Sequence, residues 1–346
     1  MSKPIQVLLT DDSPTMLQVL TRLLSAQPDV SVVGTARDGE EAVALARSLK
    51  PDVITLDVQM PGMDGLGATE RIMAETPCRI LMVSGAPDTD LSFRALQAGA
   101  LEVIAKPQGA PEDVARFGVR LLSAIRLLAE VPLVTQRNEG RSTAPTLTPG
   151  TRVAGFGLVA SIGGPTALAS LLWLLPRSLP YPLFIAQHIT PGFTVGLHRW
   201  LSSLSPLPVE IARASEMPKP GTVYLAPDSH HLRVGMQGEF VIERASGSTF
   251  PSGDLLLASM SRAFGAQAGG AVLSGMGEEG AVGLNAIRRA GGLTFAQDPE
   301  TCLVAGMPEA ALRNKATEHR VSPEALATVL RALEGVPPAP PSPQGM

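Results

Sequence analysis

Val153-Ala154-Gly155-Phe156-Gly157-Leu158-Val159-Ala160-Ser161-Ile162-Gly163-Gly164-Pro165 is the stretch from which the C-terminal half of the chain is read. Its apolar run predicts a buried strand that stops at a serine. Two glycines and a proline follow, then an apolar run over 167–175 at helical spacing. A serine on such a strand-to-helix turn is lifted off the sheet to a helix N-terminus. There the unpaired N–H groups hold a developing negative charge. Taken alone, Ser161 fits a helix N-cap more readily than a nucleophile. Its surroundings have to decide.

The chain has 346 residues, a length that suggests about two domains. It is 45% hydrophobic and 17% charged, so it can bury cores. A net charge of −4 with no long basic run argues against nucleic acid as a partner. The N-terminus carries no signal-peptide pattern, and no apolar stretch reaches the ~18 residues needed to span a bilayer. Cys78 and Cys302 lie far apart and form no metal or redox spacing. A cytoplasmic protein without membrane insertion is expected.

Outward from the opening stretch, short apolar runs alternate with amphipathic ones. Residues 5–130 read as five βα units, which predicts a doubly wound parallel sheet covered on both faces. Residues 131–151 lose periodicity and read as a linker. Residues 152–335 read as a second α/β domain with a mainly parallel sheet. Its middle strands lack intervening helices, which predicts a partly antiparallel edge or hairpin. The Pro-rich tail, 336–346, reads as disordered.

The N-terminal pattern places Asp11 and Asp12 after the first strand, Asp57 at the end of the third, Ser84 at the end of the fourth and Lys106 at the end of the fifth. All then share one sheet edge, where ligands gather in open α/β folds. Three crowded carboxylates repel unless a hard divalent cation joins them. Mg²⁺ held there polarises an incoming phosphoryl group, with a lysine and a hydroxyl on its oxygens. Leu9-Thr10-Asp11-Asp12-Ser13, Leu56-Asp57 through Asp64-Gly65, Val83-Ser84-Gly85-Ala86 and Ala105-Lys106-Pro107 closely resemble the response-regulator receiver domain. The resemblance implies phosphorylation of Asp57 by a histidine kinase and Mg²⁺ on Asp11, Asp12 and Asp57. It also implies a switch at Ser84 and a phosphoryl contact from Lys106. Receivers of this kind usually carry an aromatic residue three positions before the lysine, where Val103 stands here.

In the C-terminal half Ser161 needs a base. His188, in Gln187-His188-Ile189-Thr190-Pro191-Gly192-Phe193-Thr194, follows a strand as Ser161 does; His230 and His231 form a second candidate loop. The turn Leu273-Ser274-Gly275-Met276-Gly277-Glu278-Glu279-Gly280 offers carboxylates to orient the imidazole and N–H groups for an oxyanion. Together with Tyr224-Leu225-Ala226-Pro227, Pro251-Ser252-Gly253-Asp254 and Gly306-Met307-Pro308, these loops resemble the catalytic domain of the chemotaxis receptor methylesterase, the CheB type. The resemblance implies Ser161 as nucleophile, His188 as acid and base, and the Met276 backbone in the oxyanion hole. No cofactor is implied for this domain. The implied substrate is a glutamyl γ-methyl ester on methyl-accepting chemoreceptors, with glutamine deamidation in some members.

Three residues depart from that pattern. Glu279 stands for the family's aspartate, and is expected to orient His188. Val159 stands for glycine, and Ile162 for the usual threonine. The alternative is therefore a catalytically weak or inactive relative, a phosphorylation-controlled binding module. The layout also predicts that the N-terminal domain covers Ser161 until Asp57 is phosphorylated.

Overall fold

The computed structural model describes residues 3–85, 90–107, 109–130, 147–148, 150–245 and 251–335. Most of the expected linker, and all of the tail 336–346, lie outside these residues.

The N-terminal half runs β1 (Ile5–Thr10), α1 (Pro14–Ser25), β2 (Val30–Ala36), α2 (Gly39–Leu49), β3 (Val53–Asp57), α3 (Gly65–Glu75), β4 (Arg79–Ser84), α4 (Asp90–Ala98), β5 (Glu102–Ala105) and α5 (Pro111–Glu130). Its five strands form one parallel sheet in the order β2-β1-β3-β4-β5. The helices start where the sequence supplies caps. Ser13 accepts from Met16 N–H, Asp38 from Glu41 N–H and Asp64 from Gly67 N–H.

The C-terminal half continues with β6 (Arg152–Val153), β7 (Gly155–Ala160), α6 (Gly164–Trp173), β8 (Leu183–Gln187), α7 (Thr194–Leu204), β9 (Val209–Ile211) and β10 (Val223–Leu225). There follow β11 (His230–Val234), β12 (Phe240–Arg244), α8 (Gly253–Phe264), β13 (Ala268–Val272), α9 (Ala281–Arg289), β14 (Leu293–Gln297), α10 (Gly306–Arg313), β15 (Arg320–Val321), α11 (Pro323–Ala332) and β16 (Glu334–Gly335). Seven strands form a parallel sheet in the order β15-β14-β13-β7-β8-β10-β9. The expected antiparallel section is the hairpin β11–β12, a separate two-stranded sheet. In β13, Ala268–Val272, Gly269 and Gly270 interrupt the apolar run that marks most of the other strands. The helix α10 was not anticipated.

From β7 the chain winds outward through β8 to one side. It then returns to β13 and winds to the other. The reversal leaves a crevice between the C-terminal ends of β7 and β13, the usual ligand position in such sheets.

Val159 is fully buried against α8 and α9, on the core side of the sheet. A Cβ on Gly253 would collide with Val159 Cγ1, and one on Gly280 would come within 3.1 Å of it. The extra bulk at 159 thus fills a hollow left by Gly253 at the start of α8. It does not enter the crevice. Gly253→Val should destabilise the fold by about 1–3 kcal/mol through overpacking. Val159→Gly should destabilise it too, by leaving a cavity. The double variant should recover most of the loss in thermal unfolding. Additive losses would mean that the two positions do not form one packing unit.

Candidate active site and acid pocket

In the N-terminal half Asp11, Asp12 and Asp57 bring carboxylate oxygens within 4.8 Å of one another. Asp11 and Asp57 are buried and Asp12 is exposed. Lys106 Nζ lies 2.7 Å from an oxygen of Asp11 and 2.7 Å from one of Asp57. Burial raises the Asp57 carboxyl above its ordinary value, although the bond from Lys106 pulls it the other way. Burial depresses Lys106, but its two carboxylate partners outweigh that and leave its pKa raised. One ammonium therefore balances only part of the negative charge. An all-oxygen donor set with a charge deficit suits a hard divalent cation, so the residues fit Mg²⁺. Ser84 is buried at the end of β4, and its carbonyl accepts the Lys106 N–H at 2.8 Å. The five residues predicted for this edge are thus brought together.

The crevice of the second sheet is built around Ser161. Its N–H donates to the Ser274 carbonyl at 3.0 Å, and its carbonyl accepts from Gly164 N–H at 2.8 Å. The residue capping α6 is Gly163, in the left-handed region at φ 74°, and it makes no side-chain cap bond. Ser161 is therefore not the N-cap, which removes the structural explanation for its hydroxyl. A Cβ on Gly163 would lie 2.6 Å from both Leu303 Cβ and Ser274 Oγ, so the turn closes only with glycine. A Cβ on Gly275 would lie 2.8 Å from Ser161 Cβ. This glycine lets the Met276 loop pass directly beside the serine.

His188 follows β8, held by its N–H to the Ala160 carbonyl at 2.8 Å. Its Nε2 is buried without a hydrogen-bond partner among the described residues. Burial lowers the His188 pKa; the Glu279 charge and the nearby Pro251 carbonyl oppose that shift without cancelling it. Ser161 and His188 line one cleft with Ile162, Gly163 and Gln187.

Glu279 acts on His188 by charge, but its hydrogen bonds go elsewhere. Its Oε1 accepts from Ser252 Oγ at 2.6 Å and from Asp254 N–H at 3.1 Å. Glu278 turns outward to Arg313 at 2.7 Å. His231 Nδ1 accepts the Ser252 N–H at 3.0 Å, and His230 Nδ1 lies 2.6 Å from the Asp228 carbonyl. The second histidine loop thus braces its surroundings and does not join the cleft. The bond from Ser252 to Glu279 has no local signal beyond a serine placed to cap the helix that follows.

The other wall of the cleft comes from the N-terminal half: Phe93, Leu96, Leu101, Glu102 and Val103. Thr190 Oγ1 donates to the Val103 carbonyl at 3.1 Å and Thr166 Oγ1 to the Leu96 carbonyl at 3.4 Å. Phe93 stacks on Trp200 at 5.7 Å and meets Phe193 edge-on at 6.4 Å. Ile162 and Val304 are buried in a cluster shared with the N-terminal core, and Met276 and Leu303 pack against it. Burial lifts the Glu102 carboxyl to about 7. No helix among the described residues is long and apolar enough to cross a membrane.

Comparison with known proteins agrees with this geometry. The family model for the CheB methylesterase matches residues 156–330, and that for the response regulator receiver domain matches residues 7–117. A protein-glutamate methylesterase/protein-glutamine glutaminase from Myxococcus xanthus is 52% identical over 323 residues, covering 92% of this chain and 91% of that protein. One from Anaeromyxobacter dehalogenans is 42% identical over 334 residues, covering 93% and 97%. The crystal structure of the Thermotoga maritima CheB methylesterase catalytic domain superposes with a TM-score of 0.50 at 30% identity, covering 52% of this chain and 98% of that one. The chain belongs to the CheB methylesterase family, with a response-regulator receiver domain in front of the catalytic domain.

Proposed function

We propose that this chain hydrolyses glutamyl γ-methyl esters on methyl-accepting chemoreceptors, with Ser161 as nucleophile and His188 as general base and acid. The observation that carries this reading is a serine freed from capping, in one cleft with a buried imidazole whose Nε2 has no partner among the described residues. Ser161 Oγ attacks the ester carbonyl carbon as its proton passes to His188 Nε2. The N–H groups at Ile162–Gly163 and Met276 receive the oxyanion. The carbon–methoxy bond breaks, and methanol leaves with the imidazolium proton. Water then attacks the acyl-serine, giving its proton to His188. The acyl–oxygen bond breaks, Oγ regains the proton, and a glutamate carboxylate is freed. The same steps on a glutamine side chain release ammonia in place of methanol, in line with the double names of the relatives.

In the receiver domain Asp57 is the residue that takes a phosphoryl group from a chemotaxis histidine kinase, in the cytoplasm. Asp11, Asp12 and Asp57 would hold Mg²⁺, which when bound neutralises the charge gathering at the phosphoryl oxygens. Lys106 contacts the phosphoryl group and Ser84 follows it. The receiver surface that lines the cleft keeps substrate from Ser161 until this happens.

Three measurements test the reading. Ser161→Ala should abolish methanol release from methylated receptor; equal release from wild type would refute the assignment. For kcat/KM against pH, an imidazolium cannot accept the serine proton. Burial favours the neutral ring, so the acid limb should lie below pH 6.5. Glu279→Gln removes a charge that favours the imidazolium and should move the limb lower still; an upward move would contradict this. Deleting residues 1–150 should raise basal activity, since a relative's catalytic domain stands as a folded unit on its own. Ile162→Thr, which removes an apolar contact from the shared cluster, should raise the basal rate of the full chain several-fold. Lower rates from both soluble proteins would exclude covering of the site by the receiver.

A further inference from the structure

We propose that Gln187 is a positioning residue for the hydrolysis: its side-chain amide clamps the main chain of Ser161 to that of His188 and so sets the direction of the Ile162 N–H toward the oxyanion. This rests on the reading of Ser161 as the nucleophile.

Gln187 is the last residue of β8 and is paired across the sheet with Ala160, the last residue of β7. Its side chain is buried. Nε2 donates to the Ser161 carbonyl at 2.8 Å and to the His188 carbonyl at 2.7 Å. Both carbonyls only accept, so the NH2 group must face them and the amide cannot be turned over. Its two protons are thereby used, one on the main chain of the nucleophile and one on that of the base. Oε1 is left buried without a partner among the described residues. An orphaned buried acceptor is costly, so core filling alone would favour an apolar side chain here.

The same amide explains the second glycine of the turn. A Cβ on Gly164 would lie 2.3 Å from Gln187 Oε1 and 2.6 Å from Ala160 Cβ. Gly163 makes the turn, and Gly164 leaves room for the amide beside it.

The chemical consequence lies in the peptide group joining Ser161 to Ile162. Its oxygen is held twice, by Gln187 Nε2 and by Gly164 N–H at 2.8 Å. A trans peptide group is planar, so its N–H points opposite to its oxygen. Fixing the Ser161 oxygen therefore fixes the Ile162 N–H, which donates to no acceptor among the described residues. Ile162 lines the cleft beside Ser161 and His188. An oxyanion donor acts in full only when its direction is set before the charge develops. The second Gln187 bond ties His188 to the same amide, next to the bond from His188 N–H to the Ala160 carbonyl. Nucleophile, base and oxyanion donor thus share one brace.

Methionine matches glutamine in length but donates nothing, so it separates the brace from the filler. The full chain is activated with a small-molecule phosphodonor and assayed by methanol release from methylated receptor. Gln187→Met should lower kcat about 10- to 100-fold, less than outright loss of an oxyanion donor. KM should stay within about twofold, because the oxyanion exists only beyond the ground state. The acid limb of kcat should stay in place, because the amide touches the main chain of His188 and not its ring. In Gln187→Glu a carboxylate repels the two carbonyls, whereas a protonated carboxyl donates to one of them. Its kcat relative to wild type at the same pH should therefore rise several-fold in acid, while that of Gln187→Met stays flat. Circular dichroism gives the folded fraction of each variant. Rates that only track that fraction, including complete loss with unfolding, would overturn the proposal and leave the amide a brace of the fold alone. A Gln187→Glu ratio that does not rise in acid would overturn it too. Failure of the nucleophile assignment itself reads differently: Ser161→Ala would then retain methanol release.

Discussion

The hydrogen bond from Ser161 N–H to the Ser274 carbonyl closes the crevice on which the catalytic chemistry depends. It joins the loops leaving β7 and β13, the two neighbours at which the winding of the sheet reverses. Ser274 then extends the closure. Its buried Oγ donates to the Ile162 carbonyl at 2.8 Å and accepts from Val304 N–H at 3.0 Å. Its N–H goes to Gln297 Oε1 at 2.8 Å. Loops from β7, β13 and β14 are pinned by one small side chain in a place where unpaired polar groups would be costly. The Ser161 hydroxyl can then face the cleft because the backbone around it is already satisfied.

The departures at 159 and 162 have different physical meanings. Val159 faces away from the cleft and fills the space that Gly253 leaves at the start of α8. That fit lets α8 begin close against the sheet. Ile162 faces the seam between the domains and adds apolar surface to it. One change therefore concerns packing behind the sheet and the other the seam between the two domains.

The receiver half was legible almost strand by strand. Each strand is a short apolar run, and Ser13, Asp38 and Asp64 cap the helices that follow β1, β2 and β3. Legibility failed where local signals are weak. The helix α10 starts at Ala305–Gly306 without a side-chain cap, and β9 is three residues long. Ser161 and His188 could be found because each follows a strand and breaks an apolar pattern with a reactive group. The bond between Glu279 and Ser252 spans 27 residues of sequence, and no period or spacing predicts it. Residue types at a site are visible in sequence; the path by which one orients another depends on packing between distant elements.

That packing also bears on how the covered site is released. The seam gains from Phe93 stacked on Trp200, from Ile162 in the shared core and from two threonine bonds. It loses from Glu102, whose carboxyl is lifted to about 7 from 4.5 by burial in the same cleft. An acid with a higher pKa when buried favours the buried state in full below its free value. That favour is lost as pH rises through the buried value, near 7. At neutral pH the carboxyl therefore weighs against a seam that is otherwise apolar. Lys106 lies four residues beyond Glu102 and directly follows β5, with its ammonium divided between Asp11 and Asp57. A phosphoryl group on Asp57, as proposed above, would compete for that ammonium and so act on the strand whose Glu102 and Val103 form part of the cleft wall. A weakly held cover and a lever four residues long require only a small differential free energy to shift the balance, the condition under which a single charge can act as a switch.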